Sequence, residues 1–138
     1  MISEQQFKTS IARQFGGGHQ PRFPKRRQDQ LIFLGAAALY LSQHHLGQEK
    51  TLNTKLMNWL NEMGADQAVD HVTLRRYLVD FGFVERDRAG TRYRIRDSEL
   101  QRLFDPSIFN LNLYSIVGQA QAEREAKRQQ WRMAQDQG

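Results

Sequence analysis

Arginine is the residue type whose spacing in this sequence most clearly indicates a chemistry. Residues 86–96 hold one acidic residue, Asp87, and five arginines, which are Arg86, Arg88, Arg92, Arg94 and Arg96. A guanidinium group carries a fixed positive charge and a planar fork of N–H donors that matches phosphate oxygens and the edges of bases. The segment therefore indicates a binding surface for a polyanion.

A second pair, Arg75 and Arg76, lies just before it in the segment 70–81, which we predict to be a helix. Asp70 suits the N-cap of this helix, and Gly82 suits the position after its last turn. At 100° per residue the apolar side chains share one face, and they are Leu74, Tyr77, Leu78 and Phe81. The arginine pair falls outside that face, so we expect both side chains to point outward.

Two short strands are predicted to follow, over residues 83–86 and 91–96, with Gly90 in the loop between them. The second strand alternates strictly, with Tyr93 and Ile95 on one face and arginines on the other. The apolar face can pack on the helices. The arginine face must then meet solvent or a polyanion.

The elements that must position these residues are predicted from apolar spacing on both sides of them. Three helices are expected before residue 70. They cover residues 3–15, the stretch from Pro24 or Lys25 to His45, and residues 52–63, with Thr51 or Asn53 as the cap of the third. A further helix is expected over about residues 107–134. The fold class is therefore mainly α with a small β-hairpin: a winged helix-turn-helix plus an N-terminal helix and a long C-terminal helix.

The positions of glycine and proline predict where the chain divides into parts. Gly16, Gly17 and Gly18 should form a flexible joint, and residues 19–27 should be extended and exposed. We expect three parts: an N-terminal helix with its joint over 1–18, a winged-helix domain over 19–105, and a C-terminal helix over 106–138.

A winged helix places its third helix in the major groove of DNA and its hairpin on the neighbouring backbone or minor groove. His71, Thr73 and Arg76 lie in the first turns of helix 70–81, so we expect them to face base edges. Phosphate contacts are expected from Arg75, from the five hairpin arginines, and from Lys25, Arg26 and Arg27. The expected function is a non-enzymatic DNA-binding regulator of transcription.

The apolar residues of 108–117 should brace the domain or form a homodimer through residues 107–134, which would suit a palindromic DNA site. RNA or ribosome association is an alternative, because Arg124, Lys127, Arg128 and Arg132 lie on a polar tail. A protein-interaction module that uses the C-terminal helix is another, and Trp131 would then mark a contact with a second chain. Purely structural roles also remain open: Arg76 could pair with Asp80, and strand arginines could keep a sheet edge soluble.

Other function classes have little support in the sequence. The net charge is +5, 15 of the 20 basic residues are arginine, and there is no cysteine, which fits a reducing cytoplasm. No Ser-His-Asp set, carboxylate pair, phosphate loop, cofactor motif or metal-ligand spacing is present, and the adjacent His44 and His45 have no ligand partners at suitable spacing. The first residues do not resemble a secretory signal, and the apolar run 31–41 is too short to cross a bilayer.

Two blocks resemble a small uncharacterised prokaryotic family, the domain of unknown function twenty eighty-seven. Residues 22–31 contain Phe-Pro-Lys-Arg-Arg before a helix, and residues 70–84 contain Leu-Arg-Arg-Tyr-Leu-Val-Asp-Phe-Gly, followed by Arg86, Gly90 and Tyr93. Residues 50–56 depart from the family's usual helix start, which carries a glutamate. The resemblance spans about residues 23–93. It implies a winged-helix-like domain, sometimes attached to transcriptional regulators, and brings no established activity or ligand.

Overall fold

The computed structural model describes residues 1–44 and 46–137, so the part of the prediction that concerns His45 lies outside the described residues. This part of the chain is mainly helical with a small antiparallel sheet, which confirms the predicted fold class. Its helices are α1 (Glu4–Phe15), α2 (Arg27–Ser42), α3 (Glu49–Glu62), α4 (His71–Asp80), α5 (Asp97–Leu103), a 3-10 helix (Pro106–Asn110) and α6 (Leu113–Gln137). Its strands are β1 (Gly47–Gln48), β2 (Val84–Arg86) and β3 (Arg92–Ile95).

Helix α1 forms as predicted because its first turn is capped. The Ser3 hydroxyl accepts a hydrogen bond from the Gln6 backbone, and the Gln6 side chain accepts one from the Ser3 backbone. Its apolar stripe, Phe7, Ile11 and Phe15, is buried in the same core as the later helices. The predicted division at residue 18 therefore does not separate two hydrophobic cores.

Helix α2 begins later than predicted, and its middle turns are buried on all sides. The carbonyl oxygens of Pro24 and Lys25 accept hydrogen bonds from the Gln30 side chain, and Arg26 is extended, so the helix starts at Arg27. Every residue from Ile32 to Ala38 is buried. A helix without a solvated face can only be the centre of the core.

The sheet contains a strand that the sequence analysis missed. Strand β1 pairs antiparallel with β3, opposite β2, and the strand order is β1-β3-β2. This pairing keeps Gln48 extended, so α3 begins at Glu49 and not at the predicted Leu52, and the predicted caps Thr51 and Asn53 lie inside the helix. The order α2-β1-α3-α4-β2-β3 is that of a winged helix.

The predicted continuous helix over 107–134 is interrupted. Asp105 accepts hydrogen bonds from both the backbone and the hydroxyl of Ser107, and together with Pro106 it starts a 3-10 helix instead. Helix α6 begins only at Leu113. Ile108 is buried, whereas residues 121–137 are all exposed. Arg124 still lies against Gly18, and the 13 residues of α6 that follow it extend about 20 Å along the helix axis. No described helix is both long enough and apolar enough to span a membrane.

Gly16 and Gly18 form a contact surface for α6, where the prediction had only a flexible joint. A Cβ on Gly16 would lie 2.7 Å from the Ala120 Cβ, and a Cβ on Gly18 would overlap the Arg124 guanidinium. Gly16 is itself buried. The absence of side chains here therefore allows the first turns of α6 to pack against the end of α1.

A glycine inside α2 allows an equally close contact. The ring of Phe104, which follows α5, lies over Gly35, and a Cβ at Gly35 would be 2.3 Å from the ring. The same ring packs edge-on against Phe7 of α1 and stacks on Phe83 before β2, at centroid distances of 5.9 and 6.3 Å. This contact joins the N-terminal helix, the central helix and the hairpin.

Replacement of Gly35 by alanine is expected to lower the free energy of unfolding by about 1–3 kcal/mol, because the Phe104 ring must move away from α2. Gly118 is a matched control, since it also lies inside a helix but a Cβ there would meet nothing within 4 Å. Gly118→Ala should stabilise by up to about 1 kcal/mol through helix propensity. Urea unfolding curves of both variants test this, and equal midpoints would contradict it.

Candidate nucleic-acid interface

Helix α4 presents a well-defined outer face. The Asp70 carboxylate accepts a hydrogen bond from the Thr73 backbone at 2.7 Å, which fixes the first turn, and Leu74 and Leu78 anchor the helix in the core. This bond lowers the pKa of Asp70, with a smaller contribution from the Thr73 hydroxyl. Of the other residues of this helix, Val72, Arg76 and Asp80 are exposed, and His71, Thr73, Arg75, Tyr77 and Val79 are partly exposed.

Arg75 does not point outward as predicted. Its guanidinium donates a hydrogen bond to Asn53 and lies 2.8 Å from a Glu49 carboxylate oxygen, both on α3. Its side chain is only 19% exposed. Arg75 therefore ties α4 to α3 and is engaged within the protein, which removes it from the set of available phosphate contacts.

Arg76 is exposed, as predicted. Within the described part of the chain, no carboxylate lies within 4 Å of its guanidinium, so the alternative pair with Asp80 does not form. Asp80 nevertheless shares the exposed face, which therefore carries one positive and one negative charge. The outer face of α4 is close to electrically neutral.

The hairpin loop is organised by Asp87, which the sequence analysis noted only as the single acid among arginines. Its carboxylate accepts hydrogen bonds from the Thr91 backbone at 2.8 Å, the Arg92 backbone at 3.2 Å and the Thr91 hydroxyl at 3.1 Å. Gly90 completes the turn with a φ of 70°. The backbone bonds from Thr91 and Arg92 lower the pKa of Asp87.

Strand β3 confirms the predicted alternation. Tyr93 packs into the core, whereas Arg92, Arg94 and Arg96 are exposed. Glu85 is the cross-strand neighbour of Arg94, and the two side chains form an ion pair at 2.6 Å. The strand therefore presents one paired arginine, Arg94, and one without a carboxylate within 4 Å in the described chain, Arg92; Arg96, which follows the strand directly, has none either.

The remaining hairpin arginines lie at the loop. Arg88 is exposed, and the Arg86 guanidinium folds back over Gly90, where a Cβ would lie 2.3 Å from it. A shallow groove of about 500 Å³ runs beside them towards the end of α2. It is lined by basic and acidic side chains together, among them Arg86, Arg92, Glu85 and Asp87.

The basic segment before α2 lies against the end of α4. Phe23 packs between Phe33 and Tyr77, at ring-centroid distances of 5.2 and 4.8 Å, so this part of the predicted exposed segment is partly buried. The Arg27 guanidinium lies 4.2 Å from the centre of the Phe81 ring, a cation–π contact. Lys25 and Arg26 are exposed.

The structure thus brings basic groups from two segments to the C-terminal end of α4. Arg27 covers Phe81, and Arg96 approaches Gly82 from the hairpin, 3.6 Å from where a Cβ on Gly82 would lie.

Val72, which is 39% exposed on the outer face of α4, was not among the predicted site residues. Its position, two residues after the cap, is the sequence signal that could have found it, because the helical wheel places it next to Arg76.

Histidines form no metal centre in the part of the chain that is described. No group of three His, Asp or Glu side chains there is close enough to hold an ion. The His44 ring packs on Tyr40 at a centroid distance of 4.8 Å, and its neighbour His45 lies outside the described residues.

Comparison with known proteins gives one match. Residues 21–95 match the model of a family described as an uncharacterized protein conserved in bacteria, DUF2087. This confirms the resemblance expected from the two sequence blocks. The matched region contains α2, α3, α4 and the sheet, whereas α1, α5 and α6 lie outside it. No curated protein and no solved structure matches the chain.

Arg75→Ala is expected to lower the free energy of unfolding by about 1 kcal/mol, because it removes the link between α4 and α3 and leaves Asn53 and Glu49 without it. Arg76→Ala should change stability by less than about 0.5 kcal/mol, as for other exposed side chains. Chemical denaturation of the two variants measures both values. Equal effects would show that Arg75 is not held by α3.

Asp87 is expected to stabilise the fold only where it is ionised. Its pKa is lowered in the folded state, so its contribution is present above the unfolded value of 3.8 and is lost as the pH falls through the folded value. The stability difference between the protein and Asp87→Asn should therefore shrink on acidification. Thermal unfolding across this pH range tests it, with Asp136→Asn as the control for loss of one carboxylate; a pH-independent difference would contradict it.

Proposed function

The chain belongs to the bacterial family DUF2087, whose description assigns no function, and we propose that it is a non-enzymatic, cytoplasmic nucleic-acid-binding protein, a winged-helix regulator that binds duplex DNA. The observation that carries the proposal is the outward arginine face of the hairpin. Arg88, Arg92 and Arg96 are exposed there, and none has a carboxylate within 4 Å among the described residues. Phosphate oxygens are the partners that such groups suit best.

In this proposal the hairpin supplies most of the affinity. Phosphate contacts hold and orient a protein on DNA but carry no sequence information. Lys25 and Arg26, beside the end of α4, would add contacts of the same kind. Arg75 contributes indirectly, because it fixes α4 against α3.

Helix α4 supplies the readout of bases in this proposal. Its outer face offers three kinds of contact: Arg76 for the acceptor edge of guanine, Thr73 for a hydroxyl hydrogen bond, and Val72 for a thymine methyl group. His71 lies in the same first turn. Because Asp80 balances Arg76, this face adds little non-specific attraction, which suits a surface that selects among sequences.

Charge reversal of the hairpin is expected to weaken DNA binding and its salt dependence together. In the triple variant Arg88→Glu, Arg92→Glu, Arg96→Glu, the slope of log affinity against log salt should fall by about 2–3, since each lost phosphate contact removes about 0.9. Arg94 is left in place because it pairs with Glu85. Fluorescence anisotropy with a labelled mixed-sequence duplex at several salt concentrations measures this.

The matched control reverses three charges elsewhere, in Lys127→Glu, Arg128→Glu, Arg132→Glu on the exposed part of α6. This variant has the same net charge, so it separates location from total charge. A control that loses as much affinity as the hairpin variant, or a wild-type affinity independent of salt, would overturn the proposal. Tighter binding of a structured RNA of equal length at matched salt would show that the preferred ligand is RNA and not duplex DNA.

One observation favours a second candidate function. Trp131 and Met133 are 64% and 62% exposed on the projecting part of α6, where each would gain from burial against another chain. Within the predicted region 107–134, Ile108 is already buried, so a homodimer or protein contact would use the exposed residues after Ala120 together with Tyr114, which is 49% exposed. This candidate would be favoured if the triple variant of α6 lost function and the triple variant of the hairpin kept it.

A further inference from the structure

A cleft of about 580 Å³ adjoins the groove beside the hairpin, with which it shares Ser42 and Asp97. Its walls are the end of α2, helix α5, the 3-10 helix and the first turn of α6. Volumes of 300–1,000 Å³ are typical of pockets that hold small organic molecules. The cleft therefore has the size of a ligand site, and its walls come from four separate elements.

The base and sides of the cleft are apolar and aromatic. Leu100 and Ile108 are 2% and 1% exposed and belong to the core, so the surface below a ligand would be fixed. The rings of Tyr40, Phe109 and Tyr114 stand around it. Several aromatic faces around one space favour a flat ring or an organic cation.

The charges at the cleft are negative. Asp97 is the charged side chain among its described lining residues, and no lysine or arginine lines it. A second carboxylate is close by, because the Tyr114 hydroxyl donates a hydrogen bond to Glu62. Asp97 also borders the groove that holds Arg86 and Arg92, so the preference of the cleft for a cation over an anion rests on its own described lining, which carries a carboxylate and no basic side chain.

Hydrogen-bonding groups in the cleft are left unused. The Tyr40 hydroxyl and the side-chain amides of Gln43 and Gln101 make no hydrogen bond within the described chain. Burial, with a smaller contribution from the charge of Glu62, raises the pKa of Tyr40, which keeps this hydroxyl protonated. The cleft thus offers polar groups that could orient a ligand.

We propose that this cleft binds a small organic ammonium compound with an aromatic ring, the ring between Tyr40, Phe109 and Tyr114 and the ammonium group towards Asp97. The site shares Asp97 and Ser42, but no arginine, with the groove beside the hairpin. Its occupation would join α2 to the segment that leads into α6.

Three compounds that share an indole ring and a two-carbon arm test the proposal: tryptamine, tryptophol and indole-3-propionate, which end in an ammonium group, a hydroxyl and a carboxylate. Titration of the full chain, followed by NMR shifts of its methyl groups, gives each affinity. Tryptamine is expected to bind about five- to thirtyfold more tightly than tryptophol, and indole-3-propionate most weakly.

Two variants test whether the compounds bind in the cleft. Gln101→Trp, at an exposed position of α5, should fill the cleft and abolish the shifts, whereas Asp97→Asn should weaken tryptamine and leave tryptophol unchanged. Gln135→Trp, on the exposed end of α6, is the control for an added surface ring. Equal affinity for the three compounds, no binding, or binding that survives Gln101→Trp would overturn the proposal. Failure here leaves the nucleic-acid proposal unaffected, because its test uses different residues.

Discussion

The contact between the Phe104 ring and Gly35 is the constraint on which the rest of this structure depends. Only a residue without a side chain lets the ring reach the backbone of α2, and the ring then also touches Phe7 and Phe83. The backbone on either side of Phe104 pairs with Ile2, through bonds of 2.7 and 2.9 Å. Phe104 therefore fastens α1 and the end of α5 to the central helix α2 and to the hairpin.

A central helix whose middle turns are buried on all sides confines function to the periphery. Because residues 32–38 of α2 are all buried, a ligand can meet this helix only at its ends, where it borders the clefts between elements, and otherwise meets the surfaces of the surrounding helices and the hairpin. The hairpin can carry many charges because its other face is anchored by Tyr93 and Val84, which are 5% and 2% exposed. Core packing thus fixes the strand while its arginines stay solvated.

Local signals in the sequence were sufficient for α1, α4 and the hairpin. Each has a cap or a turn residue beside a periodic apolar pattern, as in Ser3 with Gln6 and in Asp70 before Leu74. Strand β1 has no such signal, since two residues of Gly-Gln become a strand only because β3 lies alongside. The partners of Arg75 were unpredictable for the same reason: Glu49 and Asn53 lie more than 20 residues away and meet it only after α3 and α4 pack.

The crowding of arginines on β3 is itself an argument about function. Alternate residues on a strand are about 6.6 Å apart, less than the Debye length of about 8 Å at physiological salt, so Arg92 and Arg94 repel one another, and Arg96 adds a third positive charge directly after the strand. The Glu85 carboxylate pairs with Arg94, and the Asp87 carboxylate accepts hydrogen bonds from the loop backbone. These two negative charges therefore offset only part of the repulsion. Under the proposed function, a bound polyanion would neutralise the positive charge that remains. Lysine would serve a solubilising role equally well, whereas the planar fork of arginine matches phosphate oxygens.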